Sequence, residues 1–176
     1  NVISQEEDLE LLHELKNFPV FMGCVDHGSD KDLHADQSWS ISSNNGIIQL
    51  NKLIPLNILY QSEHDSGAVG NLWAEHHFKF SEFIHEQEPN SVLEIGGAHG
   101  ILSREYKKKN SIEWTILEPN PSPVEGVDAK YIKGFFDDKL IFDGEIDTII
   151  HSHVFEHVYY PDEFIKHISN FLEEGQ

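Results

Sequence analysis

The chain has 176 residues, a single cysteine, and 31 acidic against 12 basic side chains, for a formal net charge of −19. Such a field repels a phosphate backbone at long range and argues against a nucleic-acid partner. Cys24 alone excludes a disulfide framework and suits a reducing cytoplasm. No apolar run reaches membrane-spanning length, and the acidic start Gln5-Glu6-Glu7-Asp8 is unlike a signal peptide.

Leu9, Leu12 and Leu15 recur at helical spacing and predict a helix over residues 6–16, ended by Asn17-Phe18-Pro19. Short apolar pieces follow at residues 20–25, 39–41 and 47–50. Turn residues separate them, as in Ser42-Ser43-Asn44-Asn45-Gly46. They predict a small β-rich lobe with hairpin turns over residues 1–54. Pro55 opens a short helical stretch to Tyr60, and a polar loop spans residues 61–70. Residues 71–87 read as a helix with Leu72, Trp73, His76, Phe80, Phe83 and Ile84 on one broad face. Residues 55–88 thus form a helical linker. Its aromatic face suits a homodimer contact or ordinary core packing, and His76 and His77 read as packing or interfacial residues.

After Pro89 the pattern alternates strand and helix. Strands are predicted at residues 92–95, 113–118, 129–133 and 146–151, with helices at 99–109 and 161–172. Such alternation implies an α/β, Rossmann-like parallel sheet over residues 89–176, with its ligand at the carboxyl ends of the strands. Four strands is a partial sheet. The fourth is an exposed edge, and the chain stops where another strand would follow, so a C-terminally truncated chain is the expectation. Arg104 and Lys107-Lys108-Lys109 close a predicted helix and complement its dipole.

The richest segment is Leu93-Glu94-Ile95-Gly96-Gly97-Ala98-His99-Gly100, a strand running through an acid into a glycine turn and a helix. Gly96 lets a ligand approach the backbone, Gly97 suits the tight turn, and Gly100 allows helix to pack on sheet. Glu118 ends the next strand, 24 positions after Glu94, where an acid can accept both hydroxyls of a ribose. After the third strand come Gly134, Phe135, Phe136 and Asp137. The two rings could flank an adenine, or belong to the core. The fourth strand leads into His151-Ser152-His153-Val154-Phe155-Glu156-His157. Spacing puts His151 and His153 on one face of a strand. A metal cluster, hydrogen-bonded structural histidines, and a general base are the three readings, and the base leads. Tyr60 and His64 point the same way from one helical turn, in a loop able to fold over a cofactor.

Taken together, Tyr60 to Gly67, Trp73-Ala74-Glu75-His76-His77-Phe78, the Leu93–Gly100 segment, Leu117-Glu118-Pro119-Asn120-Pro121 and Val154-Phe155-Glu156-His157-Val158 resemble class I S-adenosylmethionine (SAM) methyltransferases. Within these, the likeness is to the nucleotide-sugar C-methyltransferases. The resemblance implies SAM as cofactor and S-adenosylhomocysteine as product. It implies a lid in residues 55–88 and a small-molecule acceptor, a sugar or nucleotide-linked sugar, methylated at carbon or oxygen. It marks Glu94, Gly96, Gly97, Ala98, Gly100, Glu118, Pro119, Gly134, Phe135, Phe136, Ser152 and His153 for the cofactor. His157, His153, Tyr60, His64 and Glu156 are marked for catalysis, His157 first among them. The family's N-terminal lobe is a zinc ribbon with paired cysteines. Here Ser42-Ser43-Asn44-Asn45 stands where a pair would sit, so the lobe is expected to fold without metal, although Cys24, His27 and His34 could improvise a site. The rival class of reading is a non-catalytic SAM-fold binding or assembly module.

Overall fold

The computed structural model describes residues 1–21, 27–61, 69–174 and 176, which divide into two units, Asn1–Gln61 and Ser62–Gln176. In the first, β1 (Leu9–Pro19) runs antiparallel to β2 (His34–Ser42), which pairs in turn with β3 (Ile48–Leu50). The turn between β2 and β3 is closed by Ser42, whose Oγ accepts the N–H groups of Asn44 and Asn45 at 3.2 and 3.1 Å. A short helix, α1 (Leu56–Leu59), follows Pro55.

The helix expected over residues 6–16 is a strand instead. Its leucines do not make one buried helical stripe, since Leu12 is exposed. A helix of that length is marginal alone in water, whereas β2 offers a ladder from Leu9↔Ser42 to Pro19↔His34. Side-chain contacts favour the strand too: the His13 and Trp39 rings stack at 6.1 Å, and Asp36 accepts the Asn17 N–H at 3.0 Å. Asn17 sits at φ 50 beside the second of two register shifts, an irregularity that spacing of leucines does not reveal.

The second unit comprises α2 (Asn71–Glu86), β4 (Ser91–Ile95), α3 (Ile101–Lys107), β5 (Glu113–Glu118), β6 (Lys130–Lys133), β7 (Thr148–His151), a 3-10 turn (Phe155–His157) and α4 (Pro161–Phe171). Its four strands are parallel in the order β6-β5-β4-β7, so the chain works outward from β4 and then crosses to the other side with β7. That reversal leaves a crevice beyond the carboxyl ends of β4 and β7.

Alternation along the strands builds a core on each face. Val92, Trp114 and Ile116 face Ile84, Leu102 and Tyr106 from α2 and α3. Leu93, Ile95 and Leu117 face Phe136, Ile146 and Phe164. Fully burying one such side chain contributes about 1.5–3 kcal/mol. At the amino ends, the Asp147 carboxylate accepts the Asn90 N–H at 2.9 Å and the Ser91 N–H at 3.3 Å, tying β7 to β4.

Two expectations change here. On α2, Leu72 and Phe83 are exposed, while Ser81 and Ile84 are the buried positions, so the inward face is narrower than the apolar pattern suggests. The helix after β4 starts at Ile101, because Ala98 and Gly100 adopt left-handed φ of 41° and 71° that no helix continues through. The basic residues of α3 engage its surroundings: Arg104 donates to the Glu125 carbonyl at 3.1 Å and Lys107 pairs with Asp128 at 3.0 Å. Among the described residues no helix is long and apolar enough to cross a membrane.

Candidate active site

The glycine turn is held from both sides. Gly96 N–H donates to the Leu117 carbonyl at 2.8 Å, and Ala98 N–H donates to Glu118 Oε2 at 3.1 Å. Glu118 Oε1 also accepts the Asn120 N–H at 3.0 Å, and its backbone carbonyl accepts the Gly134 N–H at 3.2 Å. The carboxylate at the end of β5 thereby braces the turn after β4 and the loop after β5, while the backbone of the same residue holds the loop after β6. A carboxylate has about four acceptor sites, so two hydroxyls can still be received.

The glycines serve packing. A Cβ on Gly97 would lie 2.7 Å from both Glu94 Cδ and Ile116 Cγ2, and one on Gly96 would lie 2.6 Å from Val154 Cγ2. Glu94 itself is buried and accepts the Trp114 indole N–H at 2.8 Å. Burial, with the nearby Glu118 charge and against the Trp114 bond, pushes its carboxyl up to about 7. Burial likewise pushes the Tyr131 phenol up to about 12, helped by the charges of Glu94 and Glu118.

At the turn lies a cavity of about 120 Å³ lined by Glu94, by Gly96, Gly97, Ala98 and His99 of the turn, by Ile101 and Leu102 of α3, by Trp73 and His77 of α2, and by Ser152 and His153 after β7. α2 supplies Trp73 and His77 one helical turn apart. His76, beside them, meets Ser152 Oγ through Nε2 at 3.0 Å. Burial, then the neighbouring His77 and His153, holds the His76 imidazole below its ordinary value. His153 follows the end of β7 in a left-handed conformation, φ 54, its ring 4.9 Å from Trp73 and its Nδ1 3.4 Å from Glu156 Oε1. A larger groove of about 670 Å³, lined by Trp114, Lys130, Phe142 and Ile146 among others, opens at the amino ends of the strands. Parallel α/β sheets bind ligands at the opposite ends, so the smaller cavity is the candidate site.

The residues marked from sequence divide as follows. Glu94, Gly96, Gly97, Ala98, Ser152 and His153 line the cavity. Glu118, Pro119, Gly134 and Gly100 stand around the turn, Gly100 as the residue capping α3. Phe136 belongs to the core, with its ring 4.5 Å from His167 and 5.5 Å from Phe164, while Phe135 is 36 % exposed. His151 and His153 do not share a face. β7 ends at His151, whose ring packs against Phe164 at 5.7 Å, and the chain turns before His153. His157 is exposed on the 3-10 turn and is not among the cavity-lining residues. Tyr60 caps α1 in the first unit. His64 and Cys24 lie outside the described residues. Among the described residues no group of three or more His, Cys, Asp or Glu is arranged to hold a metal ion.

Five cavity residues were not marked from the sequence: Trp73, His77, His99, Ile101 and Leu102. The signal was present, as Trp73 and His77 stand at i, i+4 on one helix and His99 lies inside the glycine motif. His99 Nδ1 meets the Ser122 carbonyl at 2.8 Å, fixing the turn to the loop after β5.

A parallel sheet of order β6-β5-β4-β7, an acid-glycine turn at its switch point, and a second acid ending β5 are the attributes of a Rossmann-like nucleoside-binding domain. A family model described as a methyltransferase domain matches residues 70–176, and the chain belongs to that family. This supports a class I SAM-dependent methyltransferase, a type of domain that generally uses S-adenosylmethionine. No curated protein matches the chain.

Proposed function

We propose that the second unit binds S-adenosylmethionine across the carboxyl ends of β5, β4 and β7 and methylates a small-molecule acceptor. A sugar or nucleotide-activated sugar is the acceptor this reading prefers, with transfer to carbon or oxygen. The observation that carries it is Glu118, held at the end of β5 and joined to the glycine turn through Ala98. Its bonded, oriented carboxylate suits a ribose diol.

Bound SAM supplies an electrophilic methyl group on a sulfonium, ready for in-line displacement. The chain's own residues then have two tasks, alignment and removal of one proton. His153 is the preferred base, because it lines the cavity and Glu156 faces its Nδ1, leaving Nε2 to take the proton. Such a carboxylate partner also stabilises the imidazolium formed. Ser152, hydrogen-bonded to His76, is a neighbouring polar group for the acceptor. His157 is a weaker candidate than its sequence position suggested, because it is not among the cavity-lining residues.

Calorimetric titration of the full chain with S-adenosylhomocysteine tests the reading. Saturable one-to-one binding, weakened on the order of tenfold or more by Glu118→Ala, is expected. Absence of binding to the folded chain would remove the proposal.

A further inference from the structure

The turn that joins β2 to β3 carries chemistry that the proposed methyl transfer does not use. Asn45 is the one asparagine of the sequence that glycine follows. Both residues are exposed, so water reaches the Asn45 side chain and the Gly46 peptide alike. Gly46 sits at a left-handed φ of 75°, and a Cβ built on it would meet nothing within 4 Å. Neither a side chain of its own nor a neighbour's fills that space.

Hydrogen bonds set the geometry. The Ile47 N–H donates to Asn45 Oδ1 at 3.1 Å, which curls the side chain back across the Gly46 peptide. Asn1 Nδ2 donates to the same oxygen at 3.4 Å. Two donors on one amide oxygen draw electrons from Cγ and stabilise negative charge that develops on the oxygen. Against this, the Gly46 N–H donates to the Ser42 carbonyl at 3.0 Å, and that bond must break before the nitrogen can react. Bonds between neutral groups are of similar net strength, so the one lost is offset by the two donors.

We propose that Asn45 is a site of spontaneous deamidation in the folded chain, and that its conversion loosens the turn from residues 1–8. The Gly46 nitrogen gives up its proton and bonds to Asn45 Cγ. The Cγ–Nδ2 bond breaks, and Nδ2 leaves with a proton as ammonia. Water then opens the cyclic imide at either carbonyl. Opening at Cγ leaves aspartate, while opening at the backbone carbonyl leaves isoaspartate, whose main chain runs through the former side chain. Water is the sole co-reactant.

Either product adds a negative charge to a turn that is already acidic. Asn1 Nδ2 also donates to Asp8 Oδ1 at 3.2 Å, so the new carboxylate arises beside that of Asp8. Glu6 is close as well, since its Oε2 accepts from Asn44 Nδ2 at 3.0 Å. Like charges so placed repel, and the bonds that hold residues 1–8 to the turn weaken.

The test ages the full chain at neutral pH and follows it by peptide mapping that resolves aspartate from isoaspartate. Asn45 is expected to convert before every other asparagine and to give both products. Its rate should lie within about tenfold of that in the urea-unfolded chain. Gly46→Ala should slow conversion severalfold, because the methyl crowds the attacking nitrogen. Earlier conversion of another asparagine would overturn the proposal. So would a folded rate below that range, because the turn would then protect Asn45. If Gly46→Ala does not fold, the comparison of folded with unfolded wild type decides. Hydrogen exchange reads the consequence: the Ser43 N–H, bonded to the Asp8 carbonyl at 3.0 Å, should exchange faster after conversion. Unchanged exchange there would overturn the loosening.

Discussion

The indole N–H of Trp114 donates to Glu94 Oε2 at 2.8 Å within the buried face of the sheet. The acid of the glycine motif is therefore tied sideways into the core on β5 as well as lining the cavity. A carboxyl in that position faces opposing demands, a hydrogen bond that favours its charge and burial that opposes it.

Burial wins, raising Glu94 from 4.5 to about 7. A raised folded-state value gives stability that is fully present below the unfolded value and is lost as pH rises through the folded one. The window is thus about pH 4.5 to about pH 7, and the shift corresponds to about 3 kcal/mol. Glu94→Gln retains an acceptor for Trp114 without the ionisation. Urea melts at about pH 5 and about pH 8.5 should show the variant gaining on the wild type by that order at the higher pH. Parallel behaviour of the two proteins would show that Glu94 does not carry this penalty.

Asp147 behaves oppositely. Burial alone would raise its carboxyl, yet bonds from Asn90, Ser91 and Thr148 together hold it below the usual 3.8. A depressed value gives stability present above the unfolded value and lost as pH falls through the folded one. Asp147→Ala should cost about 2 kcal/mol at neutral pH, with the gap to wild type closing under strong acid. Denaturation at neutral and acid pH would reveal an unchanged gap if the prediction is wrong.

Phe136 and Phe135 are adjacent in sequence and separate in role. Phe136→Ala should destabilise the fold by about 3–5 kcal/mol by opening a cavity against Phe164 and Phe171. Phe135→Ala, at a 36 % exposed position, should cost about 1 kcal/mol or less. Thermal melts of the two variants measure the contrast, and equal losses would contradict it.

Gly97→Ala places its methyl 2.7 Å from Glu94 and from Ile116 in the buried sheet. Overpacking there should cost about 1–3 kcal/mol and push Glu94 away from Trp114, visible as altered Trp114 fluorescence. A variant as stable as wild type would mean that the turn can yield.

Much of the second unit was legible because its signals are local. A buried parallel strand needs a short apolar run, a crossover helix needs a periodic stripe, and the turn between them needs small residues. Residues 91–118 meet all three conditions within reach of one another. The first unit was less legible at Leu9–Pro19, because strand and helix were both compatible with its leucines and pairing with β2, some twenty residues away, decided between them.

The sequence by itself determined the acid-glycine motif, the spacing from Glu94 to Glu118 and the strand–helix alternation, all set by neighbours along the chain. Only the tertiary structure decided that His151 turns to Phe164 while His153 turns to Trp73, and that Phe136 enters the core beside Phe164. It also brought α2 over the glycine turn, placing Trp73 and His77 at the cavity. The physical reason is that a side chain's direction at a strand's end depends on a single backbone reversal, and its neighbours on which distant element packs there. Neither quantity is encoded in the residues beside it.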